Sequence, residues 1–273
     1  MSTAFKILIR SRREIRLQLK ENEILKTNPF KNIGLELCPS NFGRALVLAQ
    51  FLNCVPGLLQ LKPEQSLKVA VIGGSSEEYE LAALKNFGFK LDFQVFGIDG
   101  ESTHLDLNIE DSNTRHSQWS FDLILCSQVL EHTWNIDAVF KNLAKFISPG
   151  VLIWVAAPAS NRFHGSPEYY SAGYTEKFIE QNFEKLGFTT LHSGQIGTKR
   201  NYFATHLLPR WLSVRAHANP LFFSIGQGNF LANVFYMVKY LPWTLLLTMT
   251  SPRITSDPRF ATESWFLGTQ KPS

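Results

Sequence analysis

The chain has 273 residues, 44% of them hydrophobic and 18% charged, enough apolar material for one large or two modest folded units. That composition excludes wholesale disorder, and the three cysteines (Cys38, Cys54, Cys126) form no Cys-x-x-Cys pair, which argues against a zinc knuckle or an oxidised extracellular scaffold. The net charge of +4 is segregated, with residues 1–31 carrying +5, residues 32–150 carrying −6 and residues 151–273 carrying +5. An acidic middle is the wrong sign for a nucleic-acid reading surface. Near the N-terminus, Ile7-Leu8-Ile9 is bounded by Lys6 and Arg10, too short for a secretory apolar region, so a cytoplasmic location is expected.

Residues 11–26 place Ile15 and Leu19 four apart among charges, the pattern of a short amphipathic helix. A second helix is expected from a Ser40-Asn41 cap, burying Ala45, Leu48, Ala49 and Leu52 and stopping at Pro56-Gly57. Lys68 to Ile72 is a β-branched run that reads as a strand buried on both faces; Gly73-Gly74 ends it, and Ser75-Ser76-Glu77-Glu78 heads a helix running to Gly88. Gln94 to Asp99 and Phe121 to Ser127 repeat the strand signal. The second leads to a helix with Ile136, Val139, Phe140, Leu143 and Ile147 on one face, stopped by Ser148-Pro149-Gly150 before a strand over Val151 to Val155. Thr175 is an N-cap candidate for a helix through Phe178, Ile179, Phe183 and Leu186 to Gly187. Strands alternating with helices predict an α/β fold, a Rossmann-like, mostly parallel sheet with helices on both faces. The organisation expected is an N-terminal helical region (1–65), a central Rossmann domain (66–207) and a C-terminal hydrophobic and aromatic extension (208–273).

A glycine turn between strand and helix lets backbone amides approach a ligand, and an acid at the tip of the next strand can accept the hydroxyls of a ribose. Gly73-Gly74 and Asp99 stand in those roles. Downstream, Phe121-Asp-Leu-Ile-Leu-Cys-Ser-Gln-Val-Leu-Glu-His132 and Lys141-Asn-Leu-Ala-Lys-Phe-Ile-Ser-Pro-Gly-Val-Leu-Ile153 follow one another as strand, helix, Pro-Gly turn and strand. On these segments the chain resembles the class I S-adenosylmethionine-dependent methyltransferases, of the methyltransferase-11-like kind that act on small molecules or saccharides, over roughly residues 66–207. The resemblance implies S-adenosylmethionine as cofactor, held by Gly73, Gly74, Ser75, Asp99, Asp106, Leu107, Ser127 and Gln128, and methyl transfer to an oxygen or nitrogen of the acceptor, with His132 or His164 as base. Gln128 stands where related quinone-pathway enzymes have the first acid of a metal site, so no metal is expected.

Two departures from the family's pattern are visible. Val71 replaces the acid that opens its glycine motif, with Ser75 and Glu77 where later glycines belong, and only Gly100-Glu101-Ser102 separates Asp99 from Thr103 to Leu107, too few residues for a crossover helix. Carboxylates on the first turn of the helix would repel a pyrophosphate but not a sulfonium, which disfavours a nicotinamide oxidoreductase. The rival reading is a methyltransferase-like binding or scaffold protein without turnover.

The segment Pro158 to Tyr174 exceeds the usual loop length and carries His164, Tyr169, Tyr170 and Tyr174, a set suited to a sugar or aromatic acceptor. Residues 216–252 contain a single charge, Lys239, and are interrupted by Pro242. A charge and a helix breaker at mid-depth are costly in lipid, so this segment is expected to pack on the domain, to form a dimer surface, or to rest peripherally on an anionic leaflet through Arg210, Arg215 and Arg253.

Overall fold

The computed structural model describes residues 39–59, 65–98, 103–110, 120–146, 148–160, 169–197, 202 and 258–270. The expected helix over 11–26, Asp99, His164 and the segment 216–252 lie outside the described residues.

The described chain runs α1 (Pro39–Cys54), β1 (Leu67–Ile72), α2 (Tyr79–Phe87), β2 (Leu91–Gly97), β3 (Thr103–His104), β4 (Leu123–Ser127), a 3₁₀ turn (Leu130–His132), α3 (Ile136–Ala144), β5 (Leu152–Pro158), α4 (Glu176–Lys185), β6 (Phe188–Ile196), a second 3₁₀ turn (Pro258–Phe260) and β7 (Glu263–Gln270). The strands form one sheet in the order β3-β2-β1-β4-β5-β7-β6. β3, β2, β1, β4 and β5 are parallel, whereas β7 is antiparallel to both β5 and β6. The order reverses between β1 and β4, so the fold is the Rossmann-like one read from the alternation.

Buried strands carry side chains to opposite faces by turns, and two cores result. Val69, Val71, Leu123, Leu125 and Trp154 pack under α1 and α2, with Leu48, Ala49 and Leu52 of α1 fully covered. Ala70, Ile72, Ile124, Ile153 and Val155 face α3 and α4, where Val139, Phe140 and Leu143 meet Ile179 and Phe183. Two helix starts are capped: Thr175 Oγ1, the expected cap, accepts from the Phe178 amide (3.2 Å), and at the head of α3 the Asn135 side chain accepts from the Ala138 amide (3.3 Å).

Between Gly97 and Thr103 the chain has too few residues for a crossover helix. β3 is a two-residue ladder, Phe96 opposite Thr103 and Gly97 opposite His104, and so short a pairing needs only a local return of the chain. Beyond it, buried Asn142 on α3 donates to the carbonyls of Asp106 (3.4 Å), Leu107 (3.3 Å) and Ile109 (2.9 Å), tying the following loop to the helix layer.

The sheet draws on residues beyond the central span 66–207. α1 packs on one face, and β7, from a stretch expected only as a hydrophobic extension, lies inside the sheet with most of its residues buried. Its alternation sends Trp265 and Leu267 to the α1 core and Phe266 to the other, where it stacks on Phe183 at 4.8 Å. Among the described residues no helix is long and apolar enough to cross a membrane.

Phe266 is fully buried and touches both α4 and the sheet, so Phe266→Ala is expected to lower unfolding free energy by about 3–5 kcal/mol, measured by urea denaturation. A change below about 1 kcal/mol would mean that β7 is not a core strand.

Candidate functional site

Open α/β sheets bind ligands beyond the carboxyl ends of their strands, at the point where strand order reverses. Here that edge is built from the Gly73-Gly74 turn after β1 and Ser127-Gln128 at the tip of β4. Gly73 has φ +67°, and a Cβ there would lie 2.6 Å from a methyl of Val129, so both backbone and packing demand glycine.

The turn directs its donors inward. The Gly73 amide donates to the Phe96 carbonyl (2.7 Å), the Ser75 amide to Glu78 Oε1 (3.3 Å) and the Glu77 amide to Ser75 Oγ (3.1 Å). An internal carboxylate therefore sits where an anionic ligand would be received at the head of α2. Burial, reinforced by Glu80, pushes the Glu78 carboxyl up to about 6, against a lowering influence from Arg44, whose guanidinium is 3.9 Å away.

Across the edge, Ser127 Oγ donates to Glu80 Oε1 (2.8 Å), and Gln128 Nε2 donates to Glu263 Oε2 (2.9 Å). Gln128 is the only non-glycine with positive φ (57°) among the described residues, and its amide is held by the Ala156 carbonyl at 2.7 Å. A strained residue at a strand tip marks a position that the surroundings over-determine, as functional edges often do. Ser127, Gln128, Glu80, Tyr79 and Arg44 line a small recess with Ala156, its inner volume about 10 Å³, the room of one water.

Two further carboxylates lie deeper. Glu263, at the start of β7, is buried, and its carboxyl is pushed up to about 8 chiefly by burial. Glu131, in the 3₁₀ turn after β4, is completely buried, and neither carboxylate oxygen has a hydrogen-bond partner; burial raises its carboxyl as well. His132 Nε2 stands 3.8 Å from Glu131 Oε1, with the Tyr169 ring 6.2 Å from the imidazole. The end of the loop after β5 docks on this turn: the Tyr170 and Ser171 amides donate to the Glu131 carbonyl (2.9 and 3.3 Å), and the Tyr174 hydroxyl to that of Leu130 (3.3 Å).

Of the expected cofactor residues, Gly73, Gly74, Ser75, Ser127 and Gln128 thus share the edge of β1 and β4. Asp106 is turned to a local task, its Oδ1 accepting the Asn108 amide at 2.9 Å, and Leu107 is packed in the core below α3. Arg44, Glu80 and Glu263 were not anticipated. Only an isolated charge within an apolar stretch marks Arg44 and Glu263 in the sequence, and nothing local joins them. Among the described residues no group of three or more His, Cys, Asp or Glu is arranged to hold a metal ion.

The strand order and this edge define an open, doubly wound α/β fold. No family model matches the chain, and no curated protein does. Solved structures similar to it include phosphoethanolamine N-methyltransferase 2 of Haemonchus contortus in complex with S-adenosyl-L-methionine (14% identity, TM-score 0.43), a match covering 82% of this chain and 52% of that one. This chain therefore spans about half that enzyme's length. Another is a Galdieria sulphuraria protein assigned as a sarcosine dimethylglycine methyltransferase (11% identity, TM-score 0.48, 88% and 92% covered). A third is an O-methyltransferase of a Brevibacillus brevis PKS multienzyme in complex with S-adenosyl-L-homocysteine (10% identity, TM-score 0.43, 78% and 69% covered).

The raised Glu263 carboxyl makes the folded state bind a proton that the unfolded chain has already lost, so stability should fall as pH rises from about 4.5 to about 8. The slope for that one proton is at most about 1.4 kcal/mol per pH unit. Glu263→Gln, which keeps an acceptor for Gln128, should flatten this dependence in denaturation series at pH 5 to 8. An unaltered slope in the variant would show that Glu263 is ionised in the fold throughout.

Proposed function

We propose that this chain is a class I methyltransferase that uses S-adenosylmethionine to methylate an oxygen or nitrogen of a small molecule or saccharide. The observation that carries the reading is the acidic edge: Glu78, Glu80, Glu131 and Glu263 gather around the tips of β1, β4 and β7, with an orphaned buried carboxylate among them. Such lining suits a cationic ligand and opposes a pyrophosphate. The glycine turn and Asp99 would hold the nucleoside, Ser127 and Gln128 the amino-acid end near Arg44 and Glu80. Bound there, the cofactor supplies a methyl carbon on a positively charged sulfur.

The protein's own share is positioning. The tyrosine-bearing loop docked on the turn after β4 would orient the acceptor and exclude water, which accounts for the larger part of the rate in a transfer between two bound groups. His132, partly exposed beside Glu131, would take the acceptor's proton, with His164 as the other candidate base.

Titration calorimetry with S-adenosylmethionine and NAD tests the ligand: the first should bind and the second should not. Asp99→Ala should weaken the former by about tenfold to a hundredfold, through loss of a charge-assisted ribose contact of about 1.5–3 kcal/mol. Unchanged affinity in the folded variant would remove Asp99 from the site.

His132→Ala should keep cofactor affinity and lose about 10² in turnover at neutral pH in a methyl-transfer assay. If both His132→Ala and His164→Ala turn over normally, neither is the base.

A further inference from the structure

The turn after β1 has few donors left for an incoming anion. The Gly73 amide is taken by the Phe96 carbonyl, the Ser75 amide by Glu78 Oε1 and the Glu77 amide by Ser75 Oγ. Arg44, on α1 and outside the central span 66–207, is a group at this edge that still has donors to give. Its guanidinium comes no nearer to Glu78 Oε2 than 3.9 Å, longer than a hydrogen bond, and it lies over the Tyr79 ring at 4.8 Å. Among the described residues it makes no hydrogen bond. A planar fork of five donors, steadied by a ring and 30% exposed along its side chain, suits a carboxylate arriving from solvent.

The recess that Arg44 lines carries the opposite charge on another wall. Glu80, Ser127 and Gln128 share that lining, and no ion pair joins Arg44 to Glu80. Hydrogen bonds within the wall fix its polarity: Ser127 gives its one hydroxyl hydrogen to Glu80 Oε1 at 2.8 Å, and Gln128 directs its amide nitrogen to Glu263 Oε2 at 2.9 Å. Toward a ligand, Ser127 Oγ and the Glu80 carboxylate are therefore acceptors. Glu80 is only 5% exposed, so bulk water answers it poorly. The inner volume of about 10 Å³ admits one water, and hence one primary ammonium, a group of similar size with three hydrogens to donate.

We propose that Arg44 and Glu80 read the two charges of an α-amino-acid group: Glu80 and Ser127 take its ammonium inside the recess, and Arg44 takes its carboxylate at the mouth. The proposal rests on the methyltransferase reading of the same site. It adds that the amino-acid end of the cofactor is selected by side chains of α1 and α2, in place of turn amides that the chain has already paired with itself. A zwitterion answers both walls at once. A ligand lacking the ammonium leaves the buried Glu80 unmatched, and one lacking the carboxylate leaves the guanidinium without an acceptor, so each loss costs affinity through a different residue.

The test is titration calorimetry on the full chain at pH 7 with S-adenosylhomocysteine, its deaminated analogue and its decarboxylated analogue, three probes that share one nucleoside and a neutral sulfur. In the native chain, loss of either group should weaken binding about tenfold or more. Arg44→Gln should erase the loss caused by the missing carboxylate and keep the loss caused by the missing ammonium. Glu80→Gln, nearly isosteric and still able to accept from Ser127, should do the reverse, with Ser127→Ala as the second variant on that side if Glu80→Gln does not fold. Analogues that bind the native chain as tightly as S-adenosylhomocysteine, or a folded variant that keeps the loss matched to its own residue, overturn the inference and leave the cofactor assignment standing. If the native chain binds neither S-adenosylhomocysteine nor S-adenosylmethionine, the cofactor assignment and the inference fall together.

Discussion

Strand β7 runs against the direction of the rest of the sheet, pairing with β5 from Leu152 opposite Thr269 to Pro158 opposite Glu263, and with β6 on its other side. Without it, β5 and β6 would each present a row of unpaired amides and carbonyls in the middle of the molecule. With it, Trp265 stacks on Trp154 at 5.3 Å in the α1 core while Phe266 fills the opposite one. An antiparallel strand also enters the sheet from the end where parallel strands finish. Its first residue, Glu263, is thereby delivered to the edge that carries the candidate site, and the same pairing that completes the fold places a carboxylate under α1.

That placement creates the site's electrostatic problem. Glu78, Glu131 and Glu263, with Arg44 as a shared counter-charge, are all held in a region largely withdrawn from water, where an unpaired charge is costly. The fold answers partly by protonation, as the upward displacement of Glu78 and Glu263 indicates, and partly by neutral donors, Ser127 for Glu80 and Gln128 for Glu263. Glu131, whose carboxyl burial raises too, receives no such donor, although its carbonyl anchors the tyrosine loop through two amides. Its main chain is thus structural, while its buried side chain has His132 Nε2 at 3.8 Å.

The sequence makes the parallel half of the fold legible because that half is written locally. β1, β4 and β5 are short apolar runs closed by turn residues, and Thr175 caps the helix it precedes. Glycine after β1 and Ser127-Gln128 after β4 were likewise readable as edge residues. β7 was not, since Glu263 to Gln270 follow a long apolar stretch and gain their meaning only by pairing with β5 and β6, far earlier in the chain. Arg44 and Glu263 share a site through the packing of α1 on β7, a contact that no spacing encodes. Leu107 shows the converse ambiguity: an apolar residue after a strand fits a binding motif and a core equally well, and Asn142 draws its loop onto α3.

The incomplete glycine motif has a physical account in the same terms. Glycines in such a turn serve two ends, special backbone angles and close approach of a ligand's phosphate. Gly73 retains the first, through its φ and its contact with Val129, and Gly74 lies so near Glu78 Oε1 that an added Cβ would sit 2.6 Å from it. The second end has been taken over by the chain itself: Glu78 supplies the anion that the Ser75 amide and the head of α2 attract. Once an internal carboxylate fills that role, side chains at Ser75 and Glu77 obstruct no incoming phosphate. The substitutions that weaken the motif for an anionic nucleotide are therefore consistent with one another and with an edge whose unanswered charge is negative.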